Sequence, residues 1–197
     1  MGGNGFIPYT GWAPRNWFLG SSAELDPDFW AKGWDWSAGA NDLIKQAMFI
    51  LSSGIFEWEV LTEKGWQFIN IGEWIKANNV RIVNTNMPGI MGFTGYGKMF
   101  GQQLGSRVML INLALIAQEE GGLYEVAGTI LHEATHLLQR SFGFEAIAYT
   151  EKVATQLLMQ QERQAYSVEG YYFGNLYSPK FQQAWIIGAS MYGLTRP

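Results

Sequence analysis

The chain has no cysteine, only two histidines, and four aspartates that all fall within the first 42 residues. The first absence excludes disulfides and every thiolate metal site, so any metal chemistry here must use histidine and carboxylate. Basic residues are also scarce: 13 Lys and Arg face 17 acidic side chains, giving a net charge of -4 with no cationic cluster. Phosphate backbones and anionic membrane surfaces require a positive field, so neither nucleic acid nor membrane is expected as a partner. Long hydrophobic runs are missing as well. The segment 107–117 is interrupted by Asn112 and is far too short to span a bilayer. Met1-Gly2-Gly3-Asn4-Gly5-Phe6 lacks a basic region followed by an apolar run, so no signal peptide is expected. Phe6 stands where a myristoylation site needs Ser or Thr. The expectation is a soluble protein, cytoplasmic or exported by a route that leaves no N-terminal mark.

What is present is apolar surface. A chain of 197 residues with 48% hydrophobic and 15% aromatic content can bury a substantial core, and a single domain over 1–197 is expected. Residues 1–39 are dense in Gly, Pro and Trp without periodicity, and Trp12, Trp17, Trp30, Trp34 and Trp36 mark an irregular segment pinned by aromatics. From 41 to 53, Leu43, Ile44, Ala47, Met48, Ile50 and Leu51 recur at helical spacing, with Asn41 as N-cap and Gly54 as stop. A second helical stretch is expected over 56–77, broken near Gly65 and ending at Asn78-Asn79. Two β-branched runs, 80–84 and 107–112, are expected to be strands of one small sheet. Beyond Gly121-Gly122 a helix carries Leu123, Val126, Ala127, Ile130, Ala134, Leu137 and Leu138 on one face. After a break at 141–143 a long helix is expected over 145–168, followed by an apolar helix near 181–191.

The two histidines are His132 and His136, with Glu133 beside the first. At a spacing of four on a helix, both imidazoles share one face about one turn apart, suiting two corners of a zinc tetrahedron. Two histidines and a glutamate fall into this pattern by chance about once in a thousand chains of this composition. Glu133 projects towards the open metal position and is the candidate general base.

A hydrolytic zinc site needs three protein ligands and an open position. No third histidine exists, and no aspartate follows the motif, so the third ligand must come from Glu145, Glu151, Glu162 or Glu169. On one continuous helix Glu151, Glu162 and Glu169 share a face while Glu145 points away. A tight hairpin about Gly143 would bring residues near 151 level with the histidines and leave Glu162 about two turns further on. Geometry alone thus prefers Glu151, with Glu162 as the alternative.

His132-Glu133-Ala134-Thr135-His136-Leu137-Leu138-Gln139, followed by Glu162-Arg163-Gln164-Ala165, resembles the glutamate-ligated zinc peptidases, the gluzincins. The likeness is to the small metallopeptidase domains of bacterial toxin- and phage-type proteins, and covers roughly 107–169. The resemblance implies an α+β, zincin-like fold, mostly helical, with a small sheet packed on the motif helix. It also implies one Zn²⁺ held by His132, His136 and Glu162, Glu133 as the base, and a peptide or protein substrate. An oxyanion donor would come from Tyr166, Tyr171, Tyr172 or Tyr177. The 107–112 strand would serve as the sheet edge on which an extended peptide is laid.

Three other readings compete. Gly92-Phe93-Thr94-Gly95-Tyr96-Gly97-Lys98-Met99 approaches a phosphate-binding loop, but Met99 cannot ligate Mg²⁺, so a flexible loop is expected there. The tryptophans could instead serve a non-catalytic sugar- or peptide-binding module. A di-iron carboxylate bundle would need a second Glu-x-x-His, and no histidine is left to supply it.

Overall fold

The computed structural model describes residues 41–53, 56–62, 65–86, 89–94, 97–99, 102–104, 107–141 and 151–194. The Trp-rich segment 1–39, Gly54 and Glu145 lie outside them. The architecture is mixed: helices with small sheets, consistent with the α+β expectation.

Helix α1 (Asn41–Ser53) buries Leu43, Ile44, Ala47, Met48 and Leu51, the stripe set out by the 3.6-residue period. The stretch expected to be helical over 56–77 is different. It forms an antiparallel hairpin, β1 (Glu57–Thr62) with β2 (Gly65–Asn70), and only its last part is helix α2 (Ile71–Ala77). The cause is a period of two: Glu57 and Glu59 are exposed while Trp58 between them is half-buried, an alternation a helix cannot satisfy. Asn70 then caps α2, its side chain accepting from the Glu73 N–H at 3.1 Å. The helix ends where expected, with Asn79 in the left-handed region at φ 50°.

Strands β3 (Arg81–Asn84) and β7 (Val108–Ile111) pair in parallel, Arg81 opposite Val108. Between them in sequence, the glycine-rich stretch expected to be a loop supplies strand β4 (Gly92–Phe93) and a small hairpin, β5 (Gly97–Met99) with β6 (Gln102–Leu104). β4 runs antiparallel along the other side of β7, so the sheet order is β3-β7-β4. The 107–112 strand is therefore central and buried, not the expected edge. The edge is β4, because the returning chain covers the side of β7 that would otherwise be free.

Helix α3 (Leu113–Gln118) follows β7, capped by Asn112, and leads into α4 (Leu123–Ser141), which carries the motif. Val126, Ala127, Ile130, Leu131, Ala134, Leu137 and Leu138 of α4 are all buried in one core with α1, α2 and β7. Each fully buried Leu or Ile contributes about 1.5–3 kcal/mol, so this face anchors α4 firmly. Helix α5 (Glu151–Phe173) packs along α4 and runs beyond 168 to 173; residues 145–150 of the expected helix lie outside the described residues. A 3₁₀ turn (Gly174–Leu176) and a cap at Ser178 connect it to α6 (Pro179–Met191), whose Phe181, Trp185 and Ala189 face inward. Among the described residues no helix is long and apolar enough to cross a membrane.

Glu125 ties the start of α4 to α6. It is fully buried, and its two oxygens accept from Gly122 N at 2.8 Å and Ser178 N at 2.9 Å. Burial pushes its carboxyl pKa above the usual range, opposed by these backbone hydrogen bonds. Glu125→Ala leaves two donors without partners and is expected to destabilise the fold by about 2–4 kcal/mol, read as a lower urea midpoint. An unchanged midpoint would show the tie to be dispensable.

Candidate metal centre

The inward-facing helical stripe of α4 points at α1 and the sheet. The neighbouring face, carrying Thr129, His132, Glu133, His136 and Gln139, lines a cleft bounded by β4, α5 and α6. His132 and His136 stand one turn apart, as their spacing requires, with their Nε2 atoms 3.2 Å from each other. Glu162, from α5, completes a triangle: its Oε2 lies 3.5 Å from His132 Nε2 and 3.4 Å from His136 Nε2. The structure thus brings together His132, His136 and Glu162, a set that could hold a metal ion.

Glu151 is the first residue of α5, eleven residues before Glu162 and so about 16 Å further along the helix axis. A tight hairpin would have put it level with the histidines. Instead α5 packs on α4 in a register that brings Glu162 to the histidines and leaves Glu151 further along the axis. Helical phase put Glu151, Glu162 and Glu169 on one face without choosing among them; of these, Glu162 and Glu169 meet the motif histidines.

Each histidine is oriented from behind. Glu169 Oε2 lies 3.0 Å from His132 Nδ1, and the Tyr177 hydroxyl donates to Glu169 Oε1 at 2.9 Å. His136 Nδ1 lies 2.9 Å from Gln139 Oε1, while Gln139 Nε2 donates to Gln161 O and Gln164 Oε1. A carboxylate only accepts, and Gln139 already donates elsewhere, so both Nδ1 atoms carry a proton and it is the Nε2 atoms that are turned towards Glu162. Gly128 makes the Tyr177 contact feasible, since a Cβ there would overlap the tyrosine hydroxyl. Glu169 was foreseen only as a lesser ligand candidate, and Gln139 had no foreseen role; each lies on the helical face of a ligand, three or seven residues away.

Three acceptors converging in a buried place create a strongly negative potential. Burial works against a charged His132, but hydrogen bonds to Glu162 and Glu169 and the charges of Glu169 and Glu133 outweigh it and lift its pKa to about 10. Burial likewise works to raise Glu162, yet the two histidines hold it well below the usual carboxylate range. The same negative field would attract a divalent cation, which must displace that proton to bind.

No protein-family model, curated protein or solved structure matches the chain. Functional inference therefore rests on the cleft itself.

Glu133 projects beside the triad, and its Oε2 accepts from the Thr94 hydroxyl at 3.0 Å. Its other side rests on β4: a Cβ on Gly92 would sit 2.7 Å from Glu133 Cγ and 2.8 Å from Oε1, so only glycine permits this approach. Burial raises the Glu133 pKa, opposed by the histidine charges and the Thr94 hydrogen bond. Gly92 and Thr94 belong to the stretch that approaches a phosphate-binding loop; here they border the cleft and cradle a carboxylate. Of the four tyrosines, Tyr166 reaches the cleft, its ring 4.6 Å from that of His132. Tyr171 is exposed, Tyr172 donates to Glu57 O, and Tyr177 serves Glu169. Tyr192 also lines the cleft, its carbonyl held by Arg163 Nε. Sequence reasoning missed it because it lies beyond α6, outside any periodic pattern. The five tryptophans of 1–39 lie outside the described residues.

Proposed function

We propose that the protein is a zinc-dependent peptidase, with a zincin-like arrangement of the motif helix, the ligand helix and an antiparallel edge strand. The observation that carries this reading is the triangle of donors. Ligand atoms about 2.0–2.1 Å from a four-coordinate zinc ion lie about 3.3–3.4 Å from one another. The distances of 3.2, 3.4 and 3.5 Å among His132, His136 and Glu162 form such a tetrahedral face. A zinc ion held there supplies Lewis acidity, polarising a carbonyl oxygen and acidifying water near neutral pH.

The chain's own residues supply the remaining chemistry. Glu133, fixed between Gly92 and Thr94, accepts a proton as the water oxygen adds to the acyl carbon. It returns that proton to the amine nitrogen as the C–N bond breaks. Tyr166, whose ring lines the cleft beside His132, is the candidate donor to the developing oxyanion, and burial with nearby Glu169 and Glu162 raises its pKa and keeps it protonated. Among the described residues β4 is the outer strand of its sheet and lies beside Glu133, where an extended substrate backbone can pair.

The direct test is metal stoichiometry with proteolysis. Purified protein is expected to hold one zinc per chain and to cleave denatured casein; a chelator abolishes cleavage and added zinc restores it. A chain with no zinc above background, or cleavage indifferent to the chelator, would remove the reading. Thr94 gives a finer test. Thr94→Val keeps shape but removes the hydroxyl that steadies Glu133, and is expected to lower kcat about tenfold with KM and zinc content unchanged. Thr94→Ser should retain most activity, and equal loss in both variants would assign Thr94 to packing alone.

A further inference from the structure

The cleft, of about 590 Å³, has an apolar wall beside the metal centre. Leu158 precedes Glu162 by four residues, so it lies one turn away on the same face of α5, and it lines the cleft while remaining 51% exposed. Ile187 of α6 lines the same cleft at 59% exposure, with Trp185 behind it nearly buried. Large aliphatic side chains left open to water inside a concave site mark a surface that awaits apolar contact.

The charges of the cleft address the ends of a substrate. A free terminal carboxylate would meet Glu133, Glu162 and Glu169, and no Lys or Arg is among the described lining residues. A free terminal ammonium would need an uncommitted carboxylate. Glu133 accepts from Thr94, Glu162 faces both histidines, and Glu169 is shared by His132 and Tyr177. Among the described lining residues a terminal carboxylate thus finds no counter-charge, and each carboxylate that a terminal ammonium could meet already holds another partner.

We propose that the cleft takes an internal peptide bond flanked by a bulky aliphatic residue, whose side chain lodges against Leu158 and Ile187. The proposal rests on the peptidase reading and deepens it by naming the substrate class. A single methylene in a hydrophobic pocket is worth roughly 10–200-fold in kcat/KM, so a Leu side chain there should exceed Ala by at least about tenfold.

Peptides with acetylated N-termini and amidated C-termini, differing at one position among Leu, Ala, Lys and Asp, test this by mass spectrometry of the products. The zinc-loaded protein is expected to cleave next to Leu at least tenfold faster than next to Ala, with Asp poorest, and to cleave blocked and free-ended peptides equally well. Leu158→Glu should lower cleavage at Leu about tenfold and improve it at Lys, with zinc content unchanged. A second arm needs no catalysis. Fluorescence anisotropy with zinc-loaded Glu133→Gln should show the Leu peptide binding at least tenfold more tightly than the Asp peptide, and the Leu158→Glu change should erase that difference. Equal binding of the Leu and Asp peptides, or cleavage that requires a free terminus, would overturn the proposal. If zinc-loaded protein cleaves nothing while Leu158-dependent binding persists, the peptidase reading fails and the apolar subsite stands.

Discussion

Glu133→Gln is expected to lower metal-dependent peptide hydrolysis about 10²–10⁴-fold while leaving zinc content and fold intact. The substitution is nearly isosteric, so the approach of Gly92 to the side chain is preserved, and the Thr94 hydroxyl can still donate to the amide oxygen. What disappears is the ability to accept and return a proton. Glu133 lies outside the donor triangle of His132, His136 and Glu162, so metal affinity should change little. Zinc measured by plasma mass spectrometry and a thermal melt, each beside wild type, separate loss of chemistry from loss of metal or fold. Retained hydrolysis in a fully loaded Glu133→Gln chain would remove the assigned base, and with it the role given to Thr94.

The parts of the fold legible in the sequence are those with a long, single period. Asn41–Ser53, the motif helix and the α6 segment each repeat apolar residues every three to four positions, and each is a helix packed by that face. Residues 57–70 carry aromatic and β-branched side chains at spacings that fit either period over a short window, and the hairpin prevails because only alternation lets Glu57 and Glu59 stay in water. Strands β4, β5 and β6 have two or three residues each, too few for any period to register. β4 exists by pairing with β7, a strand well beyond it in sequence, which is also why β7 was misjudged as an edge, and β5 and β6 exist only as partners of each other. The site shows the same division. The relation of His132, Glu133 and His136 is local and follows from one helix. The choice between Glu151 and Glu162 depends on how far α5 slides along α4, a quantity set by the connection between them and invisible to helical phase.

That choice yields a second large expected effect. Glu162→Gln removes the only carboxylate in the triangle and should weaken zinc binding well over a hundredfold. Glu169→Gln should cost about 10–100-fold, the usual effect of an outer partner that orients a ligating histidine. Glu151→Gln should cost nothing, because α5 begins there, about 16 Å along the axis from Glu162. The ordering follows from where charge meets metal. Glu162 sits 3.4 and 3.5 Å from the Nε2 atoms of the two histidines, and its anionic form is favoured strongly by them against the cost of burial. Glu169 acts one bond network further out, through His132 Nδ1, and its loss leaves a histidine that can still bind but is less firmly aimed. Competition with a fluorescent zinc chelator measures all three variants on one scale. A result in which Glu151→Gln lost zinc and Glu162→Gln did not would require α5 to pack about three turns out of the register seen here, and would move the centre with it.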